Sequence, residues 1–162
     1  MSIQKRYAKL KAMQKIFAEN KKAYFDYEIL EKFEAGIVLI GQEVKSIRMN
    51  RLNLTGSYVV VDKNSEAYLV GANIPPYQPK NIPGDYNPQH SRKLLLKKKE
   101  IQYLIGKSRQ SGLTLIPLKV YTNDGKIKLE FGIAKGKKQF DKREKIKKRE
   151  LDKEIQRELK RG

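Results

Sequence analysis

The chain has no cysteine, no tryptophan and a single histidine among its 162 residues. The missing thiols exclude a disulfide scaffold, a Cys-ligated zinc and a thiol nucleophile together. One imidazole removes most Ser-His and Cys-His chemistry. Long apolar runs are missing as well: Gly36–Gly41 falls far short of the roughly 18–20 residues of a spanning helix. No apolar stretch backs Met1-Ser2-Ile3-Gln4-Lys5-Arg6, so the start is not a secretory signal, although a basic, acid-poor start also imitates a transit peptide. Acidic residues are the scarce charge, 18 Asp+Glu against 36 Lys+Arg for a net of +18. What remains is one soluble, basic, cytoplasmic protein with no membrane role that needs a polyanionic partner.

The charge is concentrated at the two ends. Residues 1–22 carry seven Lys/Arg and one Glu, and residues 135–162 carry thirteen Lys/Arg and six Asp/Glu. The 112 residues between hold sixteen basic and eleven acidic side chains. This reads as a basic N-terminal arm (1–22), a globular body (23–134) and a basic C-terminal tail (135–162). Arms of this kind bind nucleic acid or another anionic surface.

In the body, the spacing over Tyr24–Glu34 predicts a strand, and Ile37–Ile40 a second one beyond Gly36. Gln42–Met49 changes period and predicts a short helix with Val44 and Ile47 inward and Lys45 and Arg48 outward. Tyr58–Asp62 and Ala67–Val70 flank a four-residue turn and predict a hairpin. Ile74–Pro88 holds five of the six prolines and predicts a long surface loop. Ser91 is placed to cap a helical region through Leu94-Leu95-Leu96 to Gly106. Leu113–Tyr121 and Lys126–Ala134 read as strands joined through Asn123-Asp124-Gly125, residues that tolerate the positive φ of a primed turn. Pro117 inside the first of these points to an edge or a bulge. About six strands, with short helices and no βαβ rhythm, predict a mainly β fold: a small antiparallel Greek-key barrel of the OB type.

In the tail, nineteen of 28 residues are charged and only Phe140, Ile146, Leu151, Ile155 and Leu159 are apolar. Pairs such as Asp141 with Lys145 and Glu144 with Lys148 favour helix by roughly 0.2–0.5 kcal/mol each. The expectation is a tail largely disordered alone and helical against a polyanion; a permanently solvated helix is the alternative. In the arm, Ile3, Tyr7, Leu10 and Phe17 fall at helical spacing. That admits RNA contact, disorder or a membrane-surface helix.

Ala134 to Arg143 is the most informative stretch: Gly136 allows close approach of the backbone to a phosphate, Lys137, Lys138, Lys142 and Arg143 neutralise phosphates, and Phe140 offers a stacking face. A basic linker with an incidental aromatic is the bland alternative. Lys97-Lys98-Lys99 after the leucines is either a solvated face or a phosphate strip, and His90 reads as an ordinary surface histidine. No phosphate loop, metal-ligand cluster or nucleophile–base pair is present, so neither catalysis nor a cofactor is expected.

Phe33-Glu34-Ala35-Gly36-Ile37-Val38-Leu39-Ile40-Gly41-Gln42-Glu43-Val44-Lys45-Ser46-Ile47-Arg48 resembles the signature of the SsrA-binding protein (small protein B) family. Ser57-Tyr58, Gly71-Ala72-Asn73-Ile74, Ser91–Leu96 and Ala134–Arg143 resemble it too, and the likeness runs from about Asn20 to Lys148. The resemblance implies a non-enzymatic partner of transfer-messenger RNA (tmRNA) in trans-translation, with an OB-like barrel on the RNA's tRNA-like domain. It also implies a tail that enters the decoding centre and empty mRNA channel of the stalled 70S ribosome, against the rRNA of the small subunit. Alanyl-tmRNA carried by elongation factor Tu and a monomeric state follow as expectations. On the resemblance, Asn20, Glu34 and Leu95 face tmRNA, and Gly136, Lys137, Lys138, Phe140, Asp141, Lys142 and Arg143, with Lys135 before them, form the decoding-centre motif. Charge adds Lys21, Lys22, Lys45, Arg48, Arg92 and Lys93 as phosphate contacts. A structural ribosomal protein or a general single-strand binder is the competing reading.

Overall fold

Six strands running from Tyr27–Ile37 to Lys126–Gly136 pair antiparallel side by side, and the last, Lys126–Gly136, also pairs with Leu113–Asn123 to close a barrel. The computed structural model describes residues 2–6, 14–137 and 139–161, with side chains at all of these except 139–142, 144, 145 and 161. The elements in chain order are β1 (Ile16–Glu19), α1 (Lys21–Asp26), β2 (Tyr27–Ile37), α2 (Gly41–Arg48), β3 (Tyr58–Val61), β4 (Ala67–Val70), β5 (Arg92–Leu95), α3 (Lys98–Ser108), β6 (Leu113–Asn123), β7 (Lys126–Gly136) and α4 (Gln139–Arg161). The body is therefore mainly antiparallel β with short helices, as expected of an OB-like barrel, and the tail, expected to be largely disordered alone, carries the one long helix, α4. Closure leaves few open edges for a foreign strand to join.

Several boundaries differ from the sequence reading. The sheet starts at β1, inside the segment expected as an arm. β1 pairs with β6 through Ile16↔Tyr121 and Glu19↔Lys119 and buries Phe17. Burial of that ring outweighs the helical spacing, which would leave it on a thin solvated stripe. Lys21–Asp26 is a helix that takes in Tyr24–Asp26, the expected start of a strand, because Asn20 caps it: the Asn20 side-chain oxygen accepts from the Ala23 N–H at 3.2 Å. Tyr27–Ile37 is then one continuous eleven-residue strand through Gly36. The leucine triplet is not helical: Leu94 and Leu95 end β5, and Leu96 lies in the connection that follows. Arg92 and Leu94 point inward and Lys93 and Leu95 outward, the alternation of a strand, so the helix begins only at Lys98.

Other expectations hold. The β3–β4 hairpin pairs Tyr58↔Val70 through Val61↔Ala67. Asp124 and Gly125 both take positive φ (56° and 75°) in the β6–β7 turn, the conformation of a primed hairpin. The β6–β7 register slips between Pro117 and Lys119, a bulge where the missing proline N–H costs no ladder bond. The loop from Ile74 to Pro88 holds only a short 3₁₀ turn, Pro79–Asn81.

The main core gathers Ile47 from α2, Leu69 from β4, Leu94 from β5, Leu104 from α3 and Leu129, Phe131 and Ile133 from β7. A second cluster of Ala23, Ile116, Leu118 and Ala134 lies under α1. Gly132 sits where β2 bulges between Ile29 and Glu31; a Cβ there would lie 2.8 Å from both the Glu31 carbonyl and the Ile29 side chain. Neither the strand backbone nor a packed branched side chain can yield cheaply. Gly132→Ala is expected to destabilise the barrel by about 1–3 kcal/mol, read as a lowered midpoint in urea, whereas Gly84→Ala, with open space around it, leaves the midpoint unchanged.

Candidate nucleic-acid interface

Gly36 on β2 pairs directly with Leu95 on β5, and Glu34 lies one outward position along the same strand. The absent Gly36 side chain leaves room for Leu95, whose Cβ lies 3.4 Å from where a Gly36 Cβ would be. Leu95 is 56% exposed, unusual for a leucine in a barrel strand. Two shallow depressions meet here, sharing Gly36, Leu95 and Lys128; one reaches Glu34 and Lys97, the other Arg48 and Lys126. Glu34, Leu95 and Arg48, three of the expected site residues, are thus brought onto one surface. Lys93 shares the outward face of β5 with Leu95 and pairs with Glu66 at 3.3 Å. Lys45 extends from α2 over the Tyr77 ring at 5.6 Å.

The Glu34 carboxylate is oriented from below. The buried Tyr121 hydroxyl donates to Glu34 Oε2, and the Asn123 side-chain amide lies 3.5 Å from both carboxylate oxygens. Burial, aided by Glu34 as acceptor and by its charge, pushes the Tyr121 hydroxyl well above its ordinary pKa, so it stays a donor. A carboxylate has about four lone-pair sites, and those facing outward remain to accept from base-edge or ribose donors. Leu95 offers an apolar face beside them, and the Lys and Arg rim suits phosphates.

Arg92 is not part of this surface. It is 1% exposed, and its guanidinium is spent inside the protein: Nε donates to Glu43 Oε2 at 2.8 Å, Nη1 to the Ala72 carbonyl at 2.7 Å and Nη2 to the Pro88 carbonyl at 2.8 Å. Its assignment as a phosphate contact is corrected, because a strand residue at an inward position cannot reach solvent. Glu43 is fully buried and also accepts from the Ile40 N–H at 3.0 Å, while the Tyr86 hydroxyl and His90 Nε2 meet it at 3.2 and 3.0 Å. Burial pushes the Glu43 carboxyl up, but the Ile40 N–H and then Arg92 and His90 outweigh it and hold the group below the usual carboxylate range. His90, read as an ordinary surface residue, belongs to this cluster.

Asn20, Lys21 and Lys22 lie elsewhere. They stand at the Tyr27 end of β2, nine positions and roughly 30 Å of strand from Gly36. Asn20 is buried; besides capping α1, its amide donates to the Pro117 carbonyl at 3.0 Å. Lys21 and Lys22 are exposed on α1. Lys135 and Gly136, expected in the tail, are the last residues of β7, paired with Glu28 and Tyr27. The tail proper begins after them. Gln139–Arg161 is one helix, exposed from Ile146 to Lys160, with Arg143 exposed as well. Lys138 lies outside the described residues, as do the side chains of Phe140, Asp141 and Lys142.

Sequence reasoning missed Lys126 and Lys128, although their outward positions in an alternating strand carry the signal. It missed Tyr121, Asn123 and the Glu43–Arg92 pair, whose partners are 87, 89 and 49 residues away. Among the described residues no group of acidic and histidine side chains is arranged to hold a metal, and no helix is long and apolar enough to cross a membrane.

The family model described as SmpB protein matches residues 17–161. The chain belongs to the SmpB family. It is 51% identical over 147 residues to the SsrA-binding protein of Carboxydothermus hydrogenoformans, covering 91% of this chain and 97% of the relative. It is 49% identical to that of Enterococcus faecalis, covering 90% and 94%, and 51% identical to that of Thermosipho africanus, covering 91% and 99%. Among solved structures, a chain from "tmRNA-SmpB: a journey to the center of the bacterial ribosome" superposes with a TM-score of 0.62 at 47% identity, over 75% of this chain and 85% of that one. SmpB proteins are RNA-binding adaptors rather than enzymes.

The buried pair makes the surface sensitive to acid. The folded pKa of Glu43 is depressed, so its stabilisation is fully present above the ordinary carboxylate range and is lost as pH falls through the lower folded value. Arg92→Met leaves the Glu43 charge buried without its main partner and is expected to cost about 3–5 kcal/mol at neutral pH. Chemical denaturation from pH 7 down to pH 3 checks this. The deficit of the variant should shrink with acid as Glu43 becomes neutral.

Proposed function

We propose that this SmpB-family chain is an adaptor that binds the tRNA-like domain of tmRNA through the Glu34–Leu95 surface and delivers it to stalled ribosomes for trans-translation and peptide tagging. The observation that carries the reading is the joining of Glu34 and Leu95 across the Gly36–Leu95 pair, inside the segment that matches the SmpB family model. Relatives named for SsrA binding, and a fold neighbour described by the words "tmRNA-SmpB" and "bacterial ribosome", support the choice of RNA. In this reading Arg48, Lys45, Lys93, Lys97, Lys126 and Lys128 supply the phosphate contacts, so affinity falls steeply with salt. Lys21 and Lys22, at the far end of β2, meet a different part of the RNA or the ribosome. The protein works in the cytoplasm as a monomer, on alanyl-tmRNA carried by elongation factor Tu.

The tail is assigned to the decoding centre and the empty mRNA channel of the small subunit. Its cationic helix suits an rRNA-lined passage, and the Phe140 ring suits stacking rather than proton transfer. Ending the chain after Lys137, so that β7 stays whole, is expected to preserve tmRNA binding and abolish tagging on stalled ribosomes. Normal tagging by the shortened chain would remove the tail from the mechanism.

Tyr121 tests the barrel part. Tyr121→Phe deletes one hydrogen bond to Glu34 and should weaken tmRNA binding by about 0.5–1.5 kcal/mol, roughly 2- to 12-fold. In a Glu34→Ala background the same change should cost nothing, because the group it orients is gone. Filter binding of all four proteins to tmRNA measures the coupling, and equal losses in both backgrounds would take Glu34 out of the RNA contact.

A further inference from the structure

We infer that Lys137 closes the C-terminal end of α1 and thereby sets the heading on which the tail leaves the barrel. A six-residue helix leaves most of its carbonyls without helical partners. In α1 the Tyr27 N–H serves Ala23, and a single residue from the far end of the chain serves two more. The Lys137 N–H donates to the Asp26 carbonyl at 2.9 Å, and its ammonium donates to the Tyr24 carbonyl at 3.0 Å. A cation is favoured at this end of a helix, where the peptide dipoles leave partial negative charge.

The other end of α1 is equally fixed. Asn20 caps its first turn and ties it to β6 through the carbonyls of Pro117 and Leu118. The helix is thus pinned to β6 by Asn20 and to the residue after β7 by Lys137. Gly136, just before that residue, pairs with Tyr27 as the last rung of the β2–β7 ladder, and the two Lys137 bonds carry the attachment one residue past its end. Further along the tail, Arg149 lies over the Phe25 ring at 5.7 Å, again on α1. Among the described residues, the contacts that Lys137 and Arg149 make with the body both fall on this one short helix, at its closing turn and on its aromatic face.

Lys137 stands in the motif assigned above to the decoding centre. On this geometry it is a positioning residue: it aims the cations that follow it. The physical claim is independent of the proposed function, which enters only through its effect on tagging.

The chain has no cysteine, so Glu150→Cys provides a unique site for a nitroxide beside Arg149. In the full-length protein carrying this label, the amides of Tyr24, Phe25 and Asp26 are expected to broaden in nitrogen-15 spectra. With Lys137→Met added, the broadening should fall severalfold while the amides around Glu34 and Leu95 keep their shifts. Lys137→Arg, which keeps a cationic donor, should restore it. No broadening with Lys137 present, or the same broadening with methionine, overturns the clasp. In tagging assays Lys137→Met should lose activity with tmRNA affinity held within about twofold, and Lys137→Gln, which keeps an N–H donor without charge, should lose less than methionine. Equal losses in glutamine and methionine would mark Lys137 as a phosphate contact and overturn its positioning role, whatever becomes of tmRNA binding itself.

Discussion

A fully buried carboxylate governs where the surface of this protein can be. Glu43 sits on α2 with no exposure, a situation that costs several kcal/mol per ion unless charge and hydrogen bonds answer it. Arg92 answers it from β5, Tyr86 from the proline-rich loop, His90 from the link between that loop and β5, and the Ile40 N–H from the turn before α2. One anion therefore clamps a helix, a loop and a strand that the chain separates by about fifty residues. Because Arg92 is held inward, strand alternation turns Lys93 and Leu95 outward, and Leu95 arrives opposite Gly36.

The rest of the candidate interface is built on that placement. Barrel closure through β6–β7 brings Tyr121 under Glu34 and lines Lys126 and Lys128 along its rim. Orientation of Glu34 by a hydroxyl that stays protonated leaves an acceptor aimed at solvent, a polar contact that a mobile surface glutamate lacks. The opposite end of β2 is organised by a different economy of hydrogen bonds. There α1, too short to satisfy itself, takes one cap from Asn20 and the other from Lys137. The first basic residue beyond the barrel is thereby coupled to the fold.

How much was legible follows from the range of the interactions. Hairpins and turns were readable because their signals are local: Asp124-Gly125 needs only positive φ, and Pro117 only a missing donor. The family pattern around Glu34 and the basic tail stood out in the same way. Arg92 was misread because a basic residue beside Lys93 looks solvated until its strand register is known. Tyr24–Asp26 was misread because apolar alternation favoured a strand, while a single asparagine cap was enough to start a helix. The leucine triplet admits period 2 and period 3.6 alike, and only packing distinguishes them.

The sequence by itself determined the class of partner, the β-rich body and the charged extension, since charge, alternation and turn chemistry act over a few residues. Only the tertiary structure decided which cations are spent inside, that Glu34 and Leu95 share a face, and that Lys137 belongs to α1. Those outcomes depend on contacts across 49 to 113 residues, where burial and hydrogen-bond satisfaction outweigh local preference.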